Sequence, residues 1–366
     1  MDLRALDLSE LEDLVVSLGE KKFRAKQVFQ WIHKGVRSLE EMRNLPKAFL
    51  EELGRAASIE VPGILAHQVS SDGTEKFLFA FRKGDGSRFV KNAQSEPASQ
   101  NDHDRSETRE PEKATCESVL MRYKYGNTVC VSTQAGCRMG CAFCASGLNG
   151  LVRDLTAGEI VSQILEIENE TGERVSRVVF MGTGEPFDNY DNVSKAIRLL
   201  HDGEGRGMSM RNITVSTCGL VPKITEFGKD FPEANLAISL HQPDGEKRKE
   251  IMPVAKKYGM TALMKACDEY VAMTNRRVSY EYALIKGEND SDDDLKKLAA
   301  LLRGRLSHVN LIPLNEVSET GLSSAGRSRA LEWKDYLDSH GVPATVRRQL
   351  GSDIDGACGQ LRNRES

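Results

Sequence analysis

At 366 residues, with 39% hydrophobic and 28% charged residues and a formal net charge of −4, the chain has an ordinary globular composition. The slight negative charge excludes a broadly basic nucleic-acid coat, so any RNA surface must be local. No run of about 18 uninterrupted apolar residues is present, which excludes a conventional membrane span.

The length exceeds what one core serves well, and predicts a large α/β domain with a smaller accessory one. Met1 to Glu20 is acidic and amphipathic, unlike a signal peptide, and a cytoplasmic protein is expected. Eight cysteines in such a chain argue for thiols that bind metal or react, because cytosolic disulfides are usually transient.

In chain order, Ser9 and Glu12 form a capping-box pattern, and Leu11, Leu14, Val15 and Leu18 follow at helical spacing. A helical module over 1–60 is predicted. Lys21, Lys22, Arg24, Lys26, Lys34 and Arg37 cluster around apolar Phe23, Val28, Phe29, Trp31 and Ile32; they form either an RNA-phosphate grip or a solvated face. Residues 61–122 read as a linker in which 76–90 alternates as short strands. Within it, 92–114 has no aliphatic residue larger than Ala and is dense in Ser, Asn, Asp and Glu, which predicts a flexible insertion.

From residue 123 to 350 short β-branched runs alternate with helical stretches, the rhythm of βα units on a parallel sheet. The runs are Thr128–Ser132, Arg177–Met181, Asn212–Ser216, Asn235–Leu240, Val278–Ile285 and Val309–Ile312. Six such units suggest a partial (β/α)6 barrel. Thr156 and Glu159 form a second capping box, opening a helix whose apolar face carries Ile160, Ile164 and Ile167.

Cys137, Cys141 and Cys144 follow the first strand at the spacing C-x3-C-x2-C. Structural zinc usually takes four N or S ligands, whereas three thiolates on a [4Fe-4S] cluster leave one iron open to a small molecule. Zinc with a distant fourth ligand, or disulfides, remain alternatives. Gly182-Thr183-Gly184-Glu185-Pro186 ends the second strand, where Glu185 can accept from an ammonium group. Ser216, Ser239-Leu240-His241 and Asn315 lie at later strand ends, where βα barrels carry their reactive groups. Singly, these read equally as a cap, a structural histidine and a turn former.

Taken with Gly351-Ser352-Asp353-Ile354-Asp355-Gly356-Ala357-Cys358-Gly359-Gln360-Leu361, these motifs resemble the radical S-adenosylmethionine (SAM) RNA methyltransferases of the RlmN/Cfr family. The resemblance runs from Lys22-Phe23-Arg24-Ala25-Lys26-Gln27, skips the polar segment, and continues from Glu117 to Leu361. It implies a radical-SAM barrel with a helical accessory domain and a tail over 351–366. It implies that Cys137, Cys141 and Cys144 ligate one [4Fe-4S] cluster, and that Gly184, Glu185, Ser216, Ser239, Leu240, His241 and Asn315 bind SAM. Reductive cleavage of SAM then yields a 5'-deoxyadenosyl radical. Cys358 would carry the methyl group as S-methylcysteine, Glu117 would be the proton acceptor, and Cys130 would release product through a transient disulfide with Cys358. Cys116, Cys218 and Cys267 acquire no role and are read as structural.

The expected reaction is methylation of adenine carbon 2 at position 2503 of 23S rRNA and at position 37 of tRNA, using two SAM in turn. The expected protein is a monomer fed by a flavodoxin-like reducing donor. The rivals are Cfr-type methylation of carbon 8, which confers antibiotic resistance, and a non-catalytic metal-containing RNA-binding protein.

Overall fold

The computed structural model describes residues 1–81 and 114–361. Three amphipathic helices come first: α1 (Leu8–Ser17), α2 (Phe23–His33) and α3 (Lys47–Ala56). The capping box of α1 is built by Asp7 and Glu10, not Ser9 and Glu12. Both pairs fit the pattern, but the box at Asp7 starts the helix a turn before Leu11 and Val15, which are fully buried. Much of the basic cluster is paired within the chain while still facing solvent: Lys22 with Glu12, Lys26 with Glu204, and Arg37 with Glu166.

Four antiparallel strands follow in part: β1 (Gly63–Val69), β2 (Glu75–Phe81) and β3 (Ala114–Tyr123) lead into β4 (Gly126–Val131). The strand expected over 76–90 is therefore present as β2 up to Phe81, and its remainder lies outside the described residues. So does the insertion, except that Ala114 already belongs to β3. A hairpin of β5 (Gln134–Gly136) and β6 (Leu151–Asp154) brackets the cysteine loop.

The βα units then run α4 (Ala157–Thr171), β7 (Val175–Phe180), α5 (Tyr190–His201), β8 (Ile213–Thr217), α6 (Val221–Asp230) and β9 (Asn235–Ser239). They continue with α7 (Gly245–Ile251), α8 (Met260–Thr274), β10 (Val278–Leu284), α9 (Asp292–Leu302), β11 (Ser307–Pro313), α10 (Gly326–Ser339) and β12 (Ala344–Val346). All six predicted βα strands are present and adjacent. They sit in one ten-stranded sheet of order β1-β2-β3-β4-β7-β8-β9-β10-β11-β12, parallel from β4 to β12. The sheet exceeds six strands because an antiparallel run extends one edge and the short β12 the other.

Thr156 and Glu159 cap α4 reciprocally, and Ile160, Ile164 and Ile167 are fully buried. This helix also anchors the N-terminal segment. Arg4, sealed from solvent, donates to Glu166 at 2.7 Å, to Ser162 Oγ at 3.0 Å and to the Val36 carbonyl at 3.1 Å. One hydrophobic core joins Leu11, Phe29 and Leu53 of the N-terminal helices to the helices flanking the sheet. Among the described residues, no helix is long and apolar enough to cross a membrane.

Candidate active site

At the C-terminal ends of the parallel strands lies a cavity of about 160 Å3. Cys137, Cys141 and Cys144 form one wall, and Gly184, Glu185, Ser216, Ser239, His241, Asn315 and Cys358 line the rest. Parallel strands bring these positions together because each βα loop leaves the sheet at the same end.

The cysteine loop is held by its own main chain. Cys137 N–H donates to the Gly150 carbonyl at 2.9 Å, and Ala142 N–H to the Ile251 carbonyl at 3.0 Å. Gly136, just before the first cysteine, has φ +78°, and a β-carbon there would stand 2.0 Å from the Gly150 oxygen. Only glycine fits that crossing. Burial pushes the Cys137 thiol up to about 12 and also raises Cys141 and Cys144; Cys144 adds to the rise at Cys137, and Cys144 and Cys137 add to it at Cys141. All eight cysteines are free thiols.

Opposite the thiols, the buried carboxylate of Glu185 accepts from the main-chain N–H of Cys218 at 2.7 Å and of Phe187 at 3.0 Å. Burial raises its pKa although these bonds pull it down. Gly184 has φ +107°, and a β-carbon would press on the Gln134 main-chain nitrogen at 2.8 Å. The His241 imidazole is held neutral, its pKa lowered to about 3 by burial and by nearby Arg248. Its Nδ1 accepts from Ala283 N–H at 2.9 Å, so the proton resides on Nε2.

Leu240 does not line the cavity; its side chain is fully buried in the core. Its contribution is main-chain. Arg248, itself 1% exposed, donates to the carbonyls of Leu240 at 2.9 Å, Cys218 at 2.8 Å and Ser239 at 3.0 Å, fastening the loops that follow β8 and β9. Cys218, read as structural, lines the cavity and supplies an N–H to Glu185. Cys116 and Cys267 lie in the hydrophobic core, as expected.

The tail is pinned against the cysteine loop. Ala145 N–H donates to the Gly359 carbonyl at 2.8 Å, and Ser146 Oγ to the Leu361 carbonyl at 2.6 Å. Cys358 thus borders both the large cavity and a second one of about 30 Å3, which it shares with Cys130. The resemblance pairs two thiols far apart in sequence, and the fold gives them one small chamber. Burial pushes Cys130 up to about 12, with Cys358 adding to the rise and Arg347 opposing it. Arg347 borders both chambers, and its own pKa is raised chiefly by Cys358. It also faces buried Glu281 at 3.6 Å. Neither Arg347 nor Glu281 is marked by any local spacing in the sequence.

Glu117 lines neither chamber. It is buried on β3, on the same face as Val119, and pairs with Lys76 at 3.1 Å; Lys76 also reaches the Asp355 carbonyl at 3.4 Å. The candidate base is therefore tied to the tail by one lysine.

Residues 131–299 match the radical SAM superfamily, and residues 1–59 match the ribosomal RNA large subunit methyltransferase N-terminal domain. A protein of Clostridium novyi named "probable dual-specificity RNA methyltransferase RlmN" is 45% identical over 97% of this chain and 96% of its own length. Its namesake in Clostridium perfringens is 46% identical over 97% and 94%. The chain belongs to the RlmN family of radical SAM RNA methyltransferases. A crystal structure of a radical SAM methyltransferase from Sphaerobacter thermophilus superposes with a TM-score of 0.87 at 38% identity, covering 99% of both chains.

The RlmN family implies a [4Fe-4S] cluster and SAM, and the residues present fit both. Three thiols of one loop, at C-x3-C-x2-C spacing along a cavity wall, suit a cluster with an open iron. Across the cavity, Glu185 offers a carboxylate to an ammonium group, and the buried Oδ1 of Asn315 has no hydrogen-bond partner in the protein.

Proposed function

We propose that this enzyme methylates carbon 2 of an adenine in RNA, at position 2503 of 23S rRNA and position 37 of tRNA, with Cys358 as the methyl carrier. The observation that carries the reading is the position of Cys358, which borders both the cavity lined by the three cysteines and the chamber holding Cys130.

In this reading Cys137, Cys141 and Cys144 hold the cluster, and Glu185, Ser216, Ser239, His241, Asn315 and the loop at Gly184 and Leu240 hold SAM. When bound, the cluster supplies the electron that cleaves SAM to a carbon radical. Cys358 first takes a methyl group from one SAM, losing its thiol proton. After hydrogen abstraction by the radical from a second SAM, the carbon on Cys358 bonds to adenine. Glu117 takes the proton from the methylated ring carbon. The unpaired electron of the adduct would return to the oxidised cluster; Cys130 then attacks Cys358 Sγ as a thiolate, forming a disulfide, and the freed methylene carbon takes up a proton to become the methyl group.

The electrostatics fit that order. As a thiolate, Cys358 opposes ionisation of Cys130. Once alkylated it carries no charge, and Arg347 acts on Cys130 alone. The resolving thiol is thus favoured after carbon transfer.

Mass analysis of nucleosides from RNA treated with the reconstituted enzyme tests the proposal. It predicts 2-methyladenosine; 8-methyladenosine, or no methylated adenosine with intact SAM cleavage, overturns it. The N-terminal helices over 1–60 are proposed as an accessory module, and a small reducing protein as the electron donor.

A further inference from the structure

Beyond the Cys130 chamber, away from the cysteine loop, lies another opening. β3, β4, β7 and β8 present one continuous face in register, with Val119 opposite Cys130, Cys130 beside Val179 and Val179 beside Thr214. Two residues nearer the N-terminal ends of the parallel strands, the same face carries Met121, Thr128 and Arg177, because strand side chains alternate. These positions wall a cavity of about 310 Å3 that shares Met121, Tyr123 and Arg347 with the thiol chamber. A path of adjoining spaces therefore leads from the N-terminal ends of the strands to Cys358.

The rim of this opening is aromatic and cationic. Tyr123 and Tyr125 stack with ring centroids 5.0 Å apart and planes 6° from parallel. Tyr125 is 62% exposed, and the Arg177 guanidinium lies 4.9 Å above its ring. Arg211, exposed, completes the rim. Among the described residues neither Arg177 nor Arg211 forms an ion pair, whereas Arg122, Arg153, Arg206 and Arg329 all do. A surface cation–π contact accounts for Arg177 on Tyr125, but not for Arg211 or for the path behind them. Stacking faces beside unneutralised guanidiniums match the chemistry of single-stranded nucleic acid, whose bases stack and whose phosphates need cations.

We propose that Tyr123, Tyr125, Arg177 and Arg211 form the port that grips the single-stranded RNA flanking the target base and admits that base from the N-terminal ends of the strands. The inference rests on the RNA-methylation reading and adds the side from which RNA arrives. Arg177 leaves the Tyr125 ring to meet a phosphate, freeing that face to stack on a flanking base, and Arg211 meets a second phosphate. The thiol chamber of about 30 Å3 has room for no more than about two waters. A purine arriving from this side therefore reaches Cys358 only if that chamber widens.

The test compares anaerobically reconstituted wild-type enzyme with Tyr125→Ala, Arg177→Gln and Arg211→Gln in binding a 23S rRNA transcript over a salt series. Tyr125→Ala should weaken binding at least about fivefold. Each arginine variant should flatten the slope of log affinity against log salt by about 0.7. Iron content and RNA-free cleavage of SAM should stay at wild-type levels. Variants that bind with wild-type affinity and slope, while the wild-type enzyme methylates the transcript, overturn the port. So does loss of iron or of RNA-free SAM cleavage together with RNA affinity, which would make the rim part of the fold's support. A wild-type enzyme that cleaves SAM but neither binds nor methylates the transcript fails the RNA reading itself, and the port with it.

Discussion

Asn315 donates from Nδ2 to the main-chain carbonyl of Cys358 at 3.0 Å, while its Oδ1, buried, is left without a partner. One amide thus fixes the tail with its donor and keeps its acceptor for whatever fills the cavity. Asn315→Ala removes both functions. Turnover should fall about tenfold or more and the KM for SAM should rise, since a lost buried hydrogen bond costs about 1–3 kcal/mol. Steady-state kinetics with tritiated SAM reads both.

Removing Cys130 leaves Cys358 as the one thiol lining the small chamber, with no partner there to cleave the carbon–sulfur bond. Cys130→Ala should accumulate enzyme covalently attached to RNA, visible as a band that survives denaturing electrophoresis and disappears with ribonuclease. Multiple turnover by this variant at the wild-type rate would remove Cys130 from the mechanism.

Arg4 and Glu166 are both almost completely buried. Replacing one partner leaves the other charge uncompensated in the core, which typically costs about 3–5 kcal/mol. Glu166→Ala should lower the denaturation midpoint substantially, with the N-terminal segment losing amide-exchange protection first because Arg4 is its tie to α4.

His33 and His241 are both held neutral, with pKa lowered to about 3 by burial, from an ordinary value of 6.5. Between those values the unfolded chain binds protons that the folded one refuses. Stability supported by the neutral rings is therefore complete above about pH 6.5 and is lost as pH falls toward 3, by about 1.4 kcal/mol per pH unit per histidine. Unfolding free energy measured from pH 7.5 to 5 should show this slope, and His33→Leu should reduce it by one proton's worth.

Gly184 tolerates no side chain, on account of both its φ and its contact with Gln134. Gly184→Ala should displace the loop carrying Glu185 and weaken SAM binding by about tenfold or more, measured by equilibrium dialysis, with a smaller loss of thermal stability.

What the sequence disclosed depended on how local the cause was. Thr156 and Glu159 were legible because a capping box closes within four residues and the isoleucines behind it confirm the register. Asp7 and Glu10 make the same pattern two residues before Ser9 and Glu12, and only packing of Leu11 decides between them. The six βα strands announced themselves through branched residues, whereas β12 is three residues long. Cys137, Cys141 and Cys144 were singled out by their spacing, and the fold sets all three along one cavity. Cys130 and Cys358 were not: they came from resemblance, and the fold then supplied the shared chamber. Arg347, which borders that chamber, is one arginine in a polar run, and its neighbours are assigned only once β3, β4 and the tail have assembled. Leu240 illustrates the reverse case, a motif residue whose side chain faces the core while its carbonyl serves Arg248.

That arginine has a bearing on how such a site can diverge. Because one guanidinium ties together the carbonyls of Cys218, Ser239 and Leu240, the separate ends of β8 and β9 are mechanically a single part. A loop transplanted from a relative would arrive without its matching anchor angles, and the other strand end would shift with it. Changes of specificity are therefore easier to introduce on the far rim, where Tyr125 and Arg211 stand clear of that staple, than among the strand ends it joins.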